Sequence, residues 1–215
     1  MDIFKRVAAY RAESDQLAWS GTFKDYIALL SQDPSPAITA HARVYDMIKS
    51  YGVEEVNGHK HYKFFEQELF GLERPIEKLV EEYFHSSARR LDVRKRILLL
   101  MGPVSGGKST LVTLLKRGLE KHSRTQQGAV YAIDGCPMHE EPLHLIPLDL
   151  RPELERELGV RIEGNLCPSC QMRLRTEFDG DIEKVPVTRV QLSEDGRVGI
   201  GTFSLQIRNH RTLPI

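Results

Sequence analysis

The segment Gly102-Pro103-Val104-Ser105-Gly106-Gly107-Lys108-Ser109 fits the pattern G-x-x-x-x-G-K-S/T and constrains this chain more than any other feature. A nucleoside triphosphate carries dense negative charge. Holding it takes several donors that converge on its oxygens, together with a cation. Glycines let the amides of a tight turn approach closely and adopt dihedrals that other residues avoid. A helix that begins at the lysine adds the positive end of its dipole. In this reading residues Gly102 to Thr110 cradle the phosphates of ATP, Lys108 reaches the β- and γ-phosphates, and the Ser109 hydroxyl ligates Mg²⁺.

The flanks support an α/β fold with a P-loop core. The apolar run Ile97-Leu98-Leu99-Leu100-Met101 predicts a buried parallel strand that ends at the loop. Leu111, Leu114, Leu115 and Leu119 recur at helical spacing, which predicts an inward-facing helix over 108–121. Ala129 to Ile133 reads as the next strand.

Upstream, helices are expected from Ile3 to Trp19, from the cap-like Thr22-Phe23-Lys24-Asp25, and from Ala37 to Tyr51 with a stop at Gly52. Residues 1–60 are therefore expected to form a small helical N-terminal module, and 61–203 a partial nucleotide-binding domain. Asn57-Gly58 marks a turn between extended segments. Helical spacing resumes at Ile76, Leu79, Val80, Tyr83 and Phe84. The basic stretch Arg89 to Arg96, interrupted by Asp92, reads as a solvated link. A short helix is expected over Arg151 to Leu158, and extended chain around Val185–Leu192 and Arg197–Phe203.

Charge and composition exclude several classes. Lys+Arg and Asp+Glu both number 30, and the pI is near 7.1, so nothing electrostatic favours nucleic acid as a partner. No apolar run approaches the roughly 20 residues needed to span a bilayer, and no signal-peptide core follows Met1. Three cysteines, an odd number, argue against a disulfide framework. These features lead to the expectation of a cytoplasmic protein without a membrane partner.

Binding is not hydrolysis, which also needs an acid on the metal side of the phosphates. Asp134, after Val130-Tyr131-Ala132-Ile133, is the early candidate, and it reads equally as the polar end of a structural strand. Cys136-Pro137-Met138-His139 and Cys167-Pro168-Ser169-Cys170 are two pairs, each with two intervening residues. Two such turns aim four ligands at one tetrahedral Zn²⁺, so Cys136, His139, Cys167 and Cys170 are candidate ligands in an insertion over 136–170, with His144 as a competitor. Solvent-facing cysteines, or a redox pair, remain the alternatives. The redox alternative is disfavoured by the expectation that the motif does not open a helix.

Several longer stretches go further: Phe64 through Glu73, Ile76 through Val80, Leu91 through Val104, Asp134 through His144, and Asn165 through Cys170. Together they resemble the PrkA family, bacterial proteins described as serine protein kinases with an AAA+-type ATPase domain. The resemblance runs from the N-terminus to about Phe203. It implies an AAA+-like P-loop core, ATP and Mg²⁺ as ligands, a protein substrate for the full-length family, and work in stress or sporulation physiology. It also implies that Phe70-Gly71-Leu72 lies near the adenine. No protein-kinase strand or loop motif of the Val-Ala-Ile-Lys or His-Arg-Asp type is present.

No positions match the family's Walker B acid, sensors, arginine finger, lid or C-terminal kinase-like region. The core is therefore expected to be incomplete, with weak turnover, marginal stability and a homo-oligomer only at full length. Residues 204–215 depart from the family pattern, and the loss of a single base in the coding sequence accounts for Ser204 through Ile215 and a stop. They are expected to be a frameshifted tail. Two other readings stand beside ATP binding by a PrkA-like kinase or ATPase. One is a small-molecule P-loop kinase that uses Asp134. The other is a zinc-stapled interaction module with a vestigial nucleotide site.

Overall fold

The computed structural model describes residues 3–89, 97–103 and 105–201. Val104, the basic stretch beyond Arg89 and the tail from Ser204 lie outside the described residues.

Helix α1 spans Ile3–Leu17 and is followed by a short strand β1, Ser20–Thr22. Helix α2, Phe23–Gln32, starts where the sequence says it should. The Thr22 hydroxyl accepts the Asp25 N–H at 3.3 Å, and the Asp25 carboxylate accepts the Thr22 N–H at 2.8 Å. Thr39 opens α3, Ala40–Ser50, by accepting the N–H of Ala42. Strands β2, Val53–Val56, and β3, His59–Tyr62, form the expected hairpin. Its turn residues Asn57 and Gly58 both have positive φ, 53° and 76°, as a tight two-residue turn requires.

Helix α4, Glu73–Lys78, runs on through a π-helical stretch, Leu79–His85, into α5, Ser86–Ala88. After the phosphate-loop motif comes α6, Lys108–Ser123. Further elements are β4, Val130–Ile133; α7, Arg151–Leu158; α8, Pro168–Thr176; and β5, Pro186–Val190.

The larger sheet is antiparallel throughout, in the order β1-β5-β4. Two apolar cores share the described residues. Phe23, Tyr26 and Leu30 of α2 pack with Tyr131 and Ile133 of β4, Val187 of β5, and Leu143, Leu145 and Leu158. Met47 and Ile48 of α3 pack with Tyr62, Phe65, Ile76, Val80 and Phe84, and Leu111, Leu114, Leu115 and Leu119 of α6 close over them. Each such side chain, fully buried, contributes roughly 1.5–3 kcal/mol. Gly118 lets α6 come close, because a β-carbon there would lie 2.7 Å from both Met47 and Phe64. The buried Arg43 ties the cores together. Its guanidinium donates to the carbonyls of Pro36, Gly128 and Ala129 at 2.8–3.1 Å.

Four expectations need correction. Residues 1–60 do not pack as a module of their own: β1 pairs with β5, and α2 lies in the core of residues 129–187. The run Ile97–Met101 is not a strand, and Ile97, Leu99 and Met101 are 94%, 73% and 82% exposed. An apolar run specifies a wish for burial but supplies no partner. Among the described residues the next apolar run, β4, pairs with β5 instead. The described sheet is therefore not the parallel one expected. Lastly, Cys167-Pro168-Ser169-Cys170 is no isolated turn but the start of α8, with Pro168 in the first helical position.

Candidate functional site

The phosphate-loop motif forms one wall of a cavity of about 530 Å³. Ser105 through Thr110 line one side, and Glu68, Leu69, Phe70 and Leu72 line the other. Local chemistry sets the loop's path. Gly107 caps α6 at φ 75°, in the left-handed region. A β-carbon there would lie 2.9 Å from Leu69 and 3.3 Å from Leu72, so both conformation and space call for glycine. Gly106 donates its N–H to the Pro103 carbonyl at 3.2 Å, which tightens the turn.

The Gly107 carbonyl accepts the N–H of Leu111 at 2.8 Å, the first bond of the helix ladder. The amides of Lys108, Ser109 and Thr110 precede that bond and have no acceptor within the helix by geometry. They stand at the cavity with the positive end of a helix that runs to Ser123 behind them. The Lys108 ammonium donates to the carbonyls of Gly102, at 2.9 Å, and Pro103. Those contacts hold the cation at the mouth of the loop. Phe70 is 76% exposed and lines the cavity rather than the core. No motif of the sequence marks Glu68. It is the acid on this wall, with Arg117 3.9 Å away.

Asp134 is not among the residues lining this cavity. It follows β4 with its side chain exposed. Its N–H bonds the Pro186 carbonyl, and its own carbonyl accepts from Arg173 at 2.7 Å.

The cysteines do converge. After β4 the chain turns through Gly135, at φ 68°, and folds back so that Ile133 N–H bonds the Glu140 carbonyl. That turn brings Cys136 to the N-terminus of α8, where the Cys167 sulfur caps the helix and accepts the Cys170 N–H at 3.4 Å. The Cys136 and Cys167 sulfurs are 3.9 Å apart. The fourth polar side chain in the group is Glu140, not the expected His139. His139 sits at φ 48° with its side chain exposed, because the tight fold-back turns it outward.

Glu140 accepts the Cys167 N–H at 2.9 Å, and the His144 ring lies 3.0 Å from it. Burial works to raise the Glu140 carboxyl, but the Cys167 amide and His144 outweigh it and hold the group below its ordinary range. Burial likewise acts to raise Cys136. The amides of Glu140 and Met138 and the neighbouring thiols reverse that and bring it below an ordinary thiol, while burial pushes Cys167 and Cys170 up. Of the three thiols, Cys136 is therefore the first to give up its proton.

Beside this group, burial pushes the Glu141 carboxyl up, and it accepts the Tyr26 hydroxyl at 3.0 Å. Among the described residues no helix is long and apolar enough to cross a membrane.

Comparison with known proteins adds to this geometry. The PrkA AAA domain family matches residues 21–211. An ATP-dependent protease, PrkA, of Bacillus subtilis (strain 168) is 61% identical over 95% of the chain. A serine/threonine kinase, YeaG, of Escherichia coli (strain K12) is 35% identical over 60% of it. The chain spans 32% of the length of the former and 20% of the latter. No solved structure matches the chain.

Proposed function

The chain belongs to the PrkA AAA domain family, and from that premise we propose that it binds ATP with Mg²⁺ in the cavity between residues 105–110 and Phe70. An AAA domain has the P-loop NTPase fold, and nucleotide with Mg²⁺ is what such a domain uses. The amides of Lys108 to Thr110 and the helix end behind them receive the phosphates. Lys108 moves from the Gly102 and Pro103 carbonyls to the β- and γ-phosphate oxygens, and the Ser109 hydroxyl ligates the metal. Phe70 and Leu72 offer an apolar face to the adenine.

The observation that carries this reading is the joint lining of one cavity by the phosphate loop and by the segment around Phe70. The two relatives bear different names, one a protease that depends on ATP and one a kinase. Binding ATP is the step both names require, so it is the step assigned to this chain. Phosphoryl transfer to a protein substrate is the further role the kinase name suggests for the whole protein. Turnover by this chain alone is proposed to be slow: hydrolysis needs an acid on the metal side, Asp134 does not line the cavity, and Glu68, the acid that does, lies 3.9 Å from Arg117.

Calorimetric titration with ATP tests the proposal. Saturable binding that weakens when Mg²⁺ is removed is expected. No heat with ATP, with or without Mg²⁺, contradicts it.

A further inference from the structure

We propose that Cys136, Cys167 and Cys170, together with the Glu140 carboxylate, hold a structural Zn²⁺ ion that joins the end of β4 to the start of α8.

Spacing carries the argument. Two sulfurs on a tetrahedral zinc, each about 2.3 Å from the ion, lie roughly 3.8 Å apart. The Cys136 and Cys167 sulfurs are 3.9 Å apart, and all four ligating atoms lie within 4.8 Å of one another. A disulfide would bring two sulfurs to about 2.05 Å and would leave the third thiol of the group over. The residues come from segments about thirty positions apart in sequence, so the convergence is a product of the fold rather than of a single turn.

The surroundings are built to hold anionic ligands. Cys167 caps α8, a helix of 9 residues, and Cys170 lies in its first turn, so both sulfurs sit at the positive end of the dipole. The Cys170 N–H points at the Cys167 sulfur. The Glu140 carboxylate is oriented from two sides, by the Cys167 N–H and by His144, as metal-bound carboxylates are. Cys136, Cys170 and Glu140 are buried. Three sulfurs and a carboxylate gathered within 4.8 Å of one another form the donor set of a tetrahedral zinc site. Thiolates favour zinc over Mg²⁺, which separates this site from the metal that accompanies ATP.

All four positions are filled by the chain, so the site is closed and structural rather than catalytic. It would close the excursion over 141–166. That excursion is already clasped by Arg151, which donates to the carbonyls of His144, Ile146 and Gly164. The Arg173 bond to the Asp134 carbonyl fastens the same two segments on the outside.

Metal analysis of the chain purified without chelators tests this. Stoichiometric zinc is expected in the wild type and in His139→Ala. Cys136→Ser should lose it, and Glu140→Gln should bind it at least tenfold more weakly in competition with a chromophoric chelator. A Cys136→Ser chain can fail to fold, so the wild-type chain is also exchanged into Co²⁺. Intense thiolate-to-cobalt absorption with tetrahedral ligand-field bands is expected. Wild-type chain that is folded by circular dichroism, free of zinc and unable to take up Co²⁺ overturns the proposal. Zinc kept by Glu140→Gln but lost by His139→Ala overturns the assignment of Glu140.

Discussion

Gly107 faces Leu69 so closely that a β-carbon on the glycine would lie 2.9 Å from the Leu69 Cδ2 methyl. The contact couples the phosphate loop to the segment that leads to Phe70, so the two walls of the cavity are set against each other by packing. Gly107→Ala adds the missing carbon in a left-handed conformation, which costs about 1 kcal/mol or more before any clash. The substitution is expected to weaken ATP binding at least tenfold while leaving the helical circular dichroism unchanged. Wild-type affinity in this variant would show that the Leu69 contact does not position the loop.

The π-helical stretch holds a charge that pH can test. Burial acts to raise the Glu81 carboxyl, but bonds from Tyr62, Lys60 and His85 outweigh it and hold it at about 2. A carboxyl whose folded value is depressed contributes stability that is full above its unfolded value of about 4.5 and is lost as pH falls through about 2. The full shift corresponds to about 3.4 kcal/mol, and screening by solvent at this partly exposed group brings the contribution to on the order of 2 kcal/mol. Urea midpoints measured from pH 6 downward should therefore fall less steeply in Glu81→Gln than in the wild type. Parallel curves would mean that Glu81 is not held in this way.

Arg43 is buried and donates to three carbonyls from two separate segments. Bonds to a charged group are each worth about 1.5–3 kcal/mol, and unsatisfied carbonyls would remain behind. Arg43→Ala is expected to lose at least about 3 kcal/mol in chemical denaturation. A loss below about 1 kcal/mol would mean that water replaces the guanidinium.

The exposure of the run before the loop makes a different prediction. Leu99 is 73% exposed, and surface substitutions away from special features change stability by about 0.5 kcal/mol or less. Leu99→Ser should leave the denaturation midpoint of this chain in place and reduce its self-association, since exposed apolar patches promote it. A loss above about 2 kcal/mol would show that the run is buried in solution.

What could be read from the sequence was whatever local chemistry determines. The Thr22–Asp25 cap, the Asn57-Gly58 hairpin turn and the helix from Arg151 to Leu158 all appear where their residues place them. Gly107 likewise takes the left-handed φ that its place before the helix calls for. Pairing was not legible. Ile97 to Met101 and Val130 to Ile133 are both short apolar runs, yet only the second has a strand partner among the described residues.

Ligand spacing points to His139, whereas the fold-back at Gly135 and at His139 itself leaves that residue exposed and groups Glu140 with the three cysteines. Helix α8 is not legible from Cys167 as a ligand alone, since a sulfur can also cap a helix and a following proline is a helix-start signal.

The central claim, ATP held by the phosphate loop, is tested most directly by titrating Mg²⁺-ATP into the wild-type chain and into Lys108→Ala side by side. The account predicts saturable binding to the wild type and a loss of at least tenfold in affinity, about 1.4 kcal/mol, without the lysine. Equal binding by the two chains would contradict it.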